Sequence, residues 1–276
     1  MSIAIVTDST CDIPPELVEK FDIHIVPNIL VINGKSIEDN ESFSREKFYT
    51  DLPEMDPLPT TSTASSGAFG ALYEELLQES IDRILSIHAA SLLSGIFNAA
   101  SLAAQRFGNR VQAIDSQQVS LGLGFQVLAA AEAAAEGLPL EDVLRRVGDA
   151  RQRVRFIAML DTLEYIRRSG RVSWARASLI SLLQIKPFIE LKDGVVHRLG
   201  EVRTRKKGVD RLLQLLRDLY PWERLAILHS NAETEARQLL ADLDPDLPTE
   251  PLIVNVTTII GTHVGPNGLG FVAVVK

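Results

Sequence analysis

The sequence predicts an α/β protein of two units. An open, mostly parallel α/β sheet domain is expected over residues 1–150, followed by an α+β domain with a mixed sheet over 151–276. Three observations carry that expectation. Short β-branched runs alternate with helix-period segments through the first half, as in "RILSIHA", "IFNAASLAAQRF" and "RVQAIDS", which is the order of parallel βαβ units. Past about residue 150 the order changes, and "PFIELKDGVVHRLG" sets Asp193-Gly194 between two β-rich runs, a strong hairpin signal. The chain has 276 residues, 46% of them hydrophobic, so it is long enough for two cores.

Taken in order, "SIAIVTDS" reads as a strand that ends in hydroxyl and carboxylate residues. "PPELVEKF" has prolines and an acid in its first turn and reads as a helix start. "DIHIVPNILVING" is a second extended run, and Asn33-Gly34 marks the turn that ends it. "SREKFYTDL" is helical, "PEMDPLPTTSTASSG" is a Pro- and Ser/Thr-rich loop, and "AFGALYEELLQES" has helical spacing at Phe69, Leu72, Tyr73, Leu76 and Leu77. After the βαβ pattern come the helices "GFQVLAAAEAAAEG" and "LEDVLRRVGDARQRVR". In the second half "FIAML" is a strand and "TLEYIRRSG" a short helix stopped by Gly170. "GVDRLLQLLRDL", "RLAILHS" and "TEARQLLADL" follow as helix, strand and helix. The closing "TTIIGTHVGPNGLGFVAVV" reads as two strands joined by a glycine-rich loop that holds His263.

Composition excludes several function classes. Twenty-eight basic against 36 acidic residues give a net charge of -8, which argues against a nucleic-acid partner. The one basic stretch, "RTRKKG" at 203–208, reads as a solvated hairpin end and helix start. One cysteine, Cys11, permits no intrachain disulfide and no Cys-based zinc site. No apolar run is long enough to span a membrane, and the amino terminus lacks a secretion signal, so a cytoplasmic protein is expected. A phosphate loop, a nucleophile elbow and a His-Glu-x-x-His motif are all missing. "GPNGLG" fails as a dinucleotide fingerprint, because a strand and not a helix follows it.

What remains is a set of hydroxyls ahead of helices. Thr61, Ser62 and Thr63 precede one, and Ser91 and Ser94 precede another. Helix amino termini attract anions, and hydroxyls there also serve as plain caps; both readings stay open. With no lysine beside them and no paired acids for magnesium, a small single-charged anion such as a carboxylate fits better than a nucleotide. Arg171 and His263 are the candidate cationic partners. The other histidines, His24, His88, His197 and His229, read as structural.

Five segments together resemble the DegV family of fatty-acid-binding proteins. They are "VTDSTCDIP" at 6–14, "PTTSTASSGAF" at 59–69, "SLLSGIFNAA" at 91–100, "LEYIRRSGRVS" at 163–173 and "GTHVGPNGLG" at 261–270. The resemblance implies a two-domain α/β protein that buries one long-chain fatty acid and holds its carboxylate between the domains. By motif position the carboxylate-binding residues fall on Thr61, Ser62, Ser94, Arg171 and His263, with the glycines of the last segment letting backbone approach the headgroup. It implies a lipid-binding carrier with no cofactor or metal and no turnover of its own, serving a separate fatty-acid kinase as partner. Two positions depart from the family pattern: Ile96 stands where Thr is usual, and Ser169 where Gly is usual. "LGLGFQVLAAAEAAA" and "ASLISLLQI" are candidate acyl-tunnel walls or ordinary core. The competing reading is a hydrolase or transferase acting on a small carboxylate or phosphate ester, with Ser94 as nucleophile and His263 as acid/base.

Overall fold

The computed structural model describes every residue except 1, 41, 80, 173, 176–184 and 244–250. Strands β1 (Ile3–Asp8) and β2 (Ile23–Val26) flank helix α1 (Pro15–Lys20) and pair in parallel. The run expected as one strand then divides. Pro27, which has no N–H for a ladder, separates β2 from β3 (Ile29–Ile32), and β3 turns through Asn33-Gly34 into β4 (Lys35–Glu38). Asn33 and Gly34 have φ of 51° and 76°, the left-handed pair that a two-residue hairpin turn requires.

Helix α2 (Arg45–Asp51) precedes β5 (Thr60–Ser62), three residues of the expected Ser/Thr loop that pair with β3. Helix α3 (Ser66–Gln78), β6 (Arg83–His88), α4 (Ile96–Ala104) and β7 (Val111–Asp115) complete the first half. The main sheet, ordered β2-β1-β6-β7, is wholly parallel, and β4-β3-β5 form a small antiparallel sheet. Helices α5 (Leu121–Ala135) and α6 (Leu140–Arg153) lead into the second half. Helix α5 is apolar around nearly its whole circumference and is correspondingly buried against neighbours on several sides.

The second sheet contains β8 (Val154–Met159), β9 (Lys186–Lys192), β10 (Val195–Val202), β11 (Trp222–His229), β12 (Leu252–Asn255) and β13 (Leu269–Val275). Its order is β10-β9-β8-β13-β11-β12, antiparallel except for β11 with β12, so it is mixed as expected. Helices α7 (Glu164–Ser169), α8 (Arg205–Arg217) and α9 (Glu233–Ala241) lie between these strands. Gly170 ends α7 at φ 72°, and "RTRKKG" is the end of β10 and the start of α8, capped by Thr204.

The carboxyl-terminal segment corrects the sequence reading. β12 and β13 do not form a hairpin; they lie on opposite sides of β11. His263 is not in a loop but in the last turn of helix α10 (Thr258–Val264). Threonine, isoleucine and glycine are weak helix formers, so propensity hid this element. Burial of Thr258, Ile259, Gly261 and Thr262 and a cap from the Thr257 side chain outweigh it, and Gly265 at φ 79° ends the helix.

Candidate functional site

A cavity of about 490 Å³ lies where the two sheets' connections meet, within the size range of small-molecule sites. Thr61, Ser62, Ser94, Arg171 and His263 all line it. β5 delivers Thr61 and Ser62, the turn before α4 delivers Ser94, the segment after α7 delivers Arg171, and α10 delivers His263. Two cavity walls meet across that space: Thr61 Oγ1 lies 2.9 Å from His263 Nε2 although the residues are 202 positions apart.

The donors are arranged to leave protons for a ligand. Ser94 Oγ accepts the N–H of Ile96 at 3.3 Å, which uses a lone pair and leaves its O–H free to donate. Its capping role and its ligand role are therefore compatible. Ser91 differs, because its hydroxyl donates to Asp115 at 2.5 Å. The helix beginning after the Thr-Ser segment is capped by Ser65, not by Thr61, Ser62 or Thr63. Arg171 donates to the Ser169 carbonyl at 2.7 Å and makes no salt bridge among the described residues. It is also the one permanently charged side chain among the described lining residues. Burial, with the Arg171 charge adding to it, lowers the His263 pKa to about 4, so the imidazole is neutral at pH 7. Its Nδ1 has no hydrogen-bond partner among the described residues.

The lining also has a large apolar share, with Val119, Phe156, Ile166, Ile189, Leu191 and Val196 among its members, beside the polar Thr10, Asn28, Thr63, Ser91 and Ser169. Three of them, Phe156, Ile189 and Leu191, lie on the paired strands β8 and β9. Helix α5 contributes nothing to the lining; its "LGLGFQVLAAAEAAA" is core. "ASLISLLQI" falls outside the described residues except for Ile185. Ile96 is fully buried in the core and does not line the cavity, so its hydrophobicity is a packing feature.

The glycines of the last segment are not among the cavity's lining residues; side chains and backbone of the protein itself pack against them. A Cβ on Gly261 would lie 2.4 Å from Tyr49 Oη, and one on Gly265 would lie 2.2 Å from Tyr165 Cδ2. Those rings pack flush on α10 and join it to α2 and α7. Cys11 is buried in a single 3₁₀ turn after β1, and burial pushes its thiol pKa up, away from nucleophilic use.

Sequence reasoning missed the buried acids Asp8, Asp12 and Asp39. Asp8 accepts from Thr10, Asn28 and the Ala89 N–H, three groups of the cavity wall, and is paired with His88 at 3.0 Å. The available signal was partial: Asp8 closes β1 and Asp12 follows in the next turn, at the end of a parallel strand where ligand-side loops lie, whereas Asp39 follows β4 of the antiparallel sheet and had no such signal.

The fold and the site define a class: an α/β protein with a parallel and a mixed sheet and a cavity lined by several hydroxyls, one permanent cation and many apolar side chains. The model of the DegV family, described as an uncharacterised protein family, matches residues 2–276. Protein DegV of Bacillus subtilis is 35% identical over 277 residues, spanning 98% of each chain. A structure described as fatty acid binding of a DegV family protein from Thermus thermophilus superposes with a TM-score of 0.90 at 35% identity, over 100% of both chains. Another, of DegV from Bacillus subtilis, described as a fatty acid binding protein, gives 0.89 at 35% identity over 100% of both chains. The chain belongs to the DegV family.

Proposed function

We propose that this protein binds one long-chain fatty acid in the cavity. Thr61, Ser62, Ser94, Arg171 and His263 receive the carboxylate, and the apolar walls receive the acyl chain. The ligand then lies between units 1–150 and 151–276, since the hydroxyls come from the first and Arg171 and His263 from the second. The observation that carries this reading is that three hydroxyls, an arginine with no salt bridge among the described residues and a neutral histidine line one cavity together with a set of apolar side chains. Each buried methylene contributes about 0.8 kcal/mol, so the chain supplies affinity and the polar end supplies selection for an acid. Fatty-acid binding by the relatives from Thermus thermophilus and Bacillus subtilis supports the same reading.

The hydrolase reading has less support. A serine nucleophile needs a base within hydrogen-bond reach, and that base needs an orienting group. His263 Nε2 is engaged by Thr61, and no hydrogen bond joins it to Ser94 or to a carboxylate among the described residues. We further propose a carrier role, in which the protein presents the bound acid to a separate fatty-acid kinase in the cytoplasm.

Solvent extraction of the purified protein followed by mass spectrometry tests the binding step. A near-stoichiometric long-chain acid, or uptake of added palmitate or oleate by emptied protein, is expected. Absence of any bound long-chain acid together with no uptake of added palmitate or oleate would overturn the reading. The carrier step is tested by mixing protein, candidate kinase, ATP and palmitate; acyl phosphate should form only with all four present.

A further inference from the structure

His263 reaches the cavity on α10, a seven-residue helix of weak helix-forming sequence. Such a helix takes its position from what grips it. The grip at its amino end comes from residues of the first half of the chain. Tyr49 Oη donates to the carbonyls of Val256 at 3.0 Å and Thr257 at 3.2 Å. The Thr257 N–H donates to Asp12 Oδ1 at 2.9 Å, and the Thr258 hydroxyl donates to Asp39 Oδ1 at 2.8 Å. Arg45 bridges Asp12 and the Asn255 carbonyl at 3.2 and 2.5 Å. Tyr49, Asp12, Asp39, Thr257 and Thr258 are all buried, and the Tyr49 ring fills the space that the missing side chain of Gly261 leaves. None of Tyr49, Asp12 and Asp39 lines the cavity.

We propose that Tyr49, with Asp12 and Asp39, forms a latch of positioning residues for the headgroup site. The latch fixes α10 so that His263 stays within hydrogen-bond distance of Thr61 and turns its free nitrogen toward the ligand. Its consequence is selectivity: it sets how strongly the cavity prefers a carboxylate over a neutral lipid of the same length. This inference rests on the headgroup reading of His263. It extends that reading to residues that never touch the ligand.

The test is a double-mutant cycle on the full chain, with palmitate and 1-hexadecanol as the two probes and thermal unfolding as the fold control. Tyr49→Phe keeps the ring against Gly261 and removes the hydroxyl. It should lower the palmitate-to-hexadecanol preference about fivefold, the worth of a buried hydrogen bond, with hexadecanol affinity nearly unchanged. In the His263→Ala background the same substitution should add less than about a twofold further change, because coupled residues are not additive. Asp39→Asn, another near-isosteric change, should behave like Tyr49→Phe. Equal loss for both probes, or an undiminished effect in the His263→Ala background, overturns the latch.

If His263→Ala itself leaves the preference intact, the headgroup reading fails, and the latch is then judged by NMR. The His263 imidazole should titrate far below ordinary histidine in the parent protein and return toward the ordinary range in Tyr49→Phe. An unchanged titration sinks the positioning role independently of ligand binding.

Discussion

Two histidines stand at the ends of two different networks, and their contrast separates framework from site. His88 closes β6 with both ring nitrogens engaged: Nδ1 is 3.0 Å from Asp8 and Nε2 is 2.6 Å from Ser86 Oγ. Ser86 in turn lies 2.7 Å from Tyr73 Oη, and Phe69 packs edge-on against the imidazole with ring centroids 5.0 Å apart. His88, Ser86 and Asp8 are completely buried. Burial alone would raise the Asp8 pKa, but the bonds from His88, Thr10 and Ala89 lower it overall. Among the described residues His263 has one hydroxyl partner and no acid, and one ring nitrogen is left over beside a cavity. A Ser-His-Asp set by name is thus a buried strut in the first half. The incomplete histidine is the one with capacity for a ligand.

The largest effect that can break this contrast is at His88. His88→Ala removes one buried hydrogen bond to the Asp8 carboxylate, with those from Thr10, Asn28 and Ala89 still in place, and leaves a void where the ring packs on Phe69; together these should cost about 3–5 kcal/mol of stability in urea denaturation. The palmitate-to-hexadecanol preference of the surviving folded fraction should be unchanged. A loss of acid preference larger than the loss of stability would make His88 part of the site and dissolve the distinction. Arg171 should behave in the opposite way. It is exposed and its removal disturbs no core, yet a hydrogen bond to a charged group is worth about 1.5–3 kcal/mol. Arg171→Ala should therefore weaken palmitate binding more than tenfold, by calorimetry or competition, with the melting temperature nearly unmoved. Ser94→Ala should cost about fivefold in palmitate affinity. Ser91→Ala should cost less, because the Ser91 hydroxyl is already committed to Asp115.

The same contrast explains what was legible in the sequence. Turn chemistry was read directly: Asn33-Gly34 and Asp193-Gly194 sit where left-handed backbone pairs are needed. The βαβ order and the mixed sheet were legible because hydrophobic period follows from one-sided burial. The five candidate site residues were placed through the family resemblance, and the structure gathers them around one cavity. α10 was not legible, since its helix exists through burial against α2 and α7 and not through its own preferences. The acids were missed for a related reason. Asp8, Asp12 and Asp39 look like loop residues in the sequence, and only the fold shows that each meets donors from distant segments. A pairing such as Thr61 with His263, spanning 202 positions, has no local signature at all.

The smallest predicted effect is the sharpest on His263. In the empty protein its pKa is lowered to about 4, chiefly by burial and further by Arg171. Binding an anion nearby favours the protonated imidazole, so affinity and proton uptake are linked: acid affinity rises as pH falls through the pKa of the complex. If the carboxylate raises that pKa by about two units, to about 6, the protonated fraction of the complex is negligible at pH 8 and about half at pH 6. Palmitate affinity should then change by no more than about twofold between pH 6 and 8. A histidine with an ordinary value near 6.5, raised by the same two units, would give about a twentyfold change over that interval. The flat profile therefore reports an imidazole held neutral in the wall, with Arg171 as the standing charge. A steep profile in the parent protein would instead mean that His263 is a second cation, solvated in the manner of a surface residue, and the contrast with His88 would have to be redrawn. His263→Gln, which keeps a donor and removes the titration, should have the same flat profile as the parent.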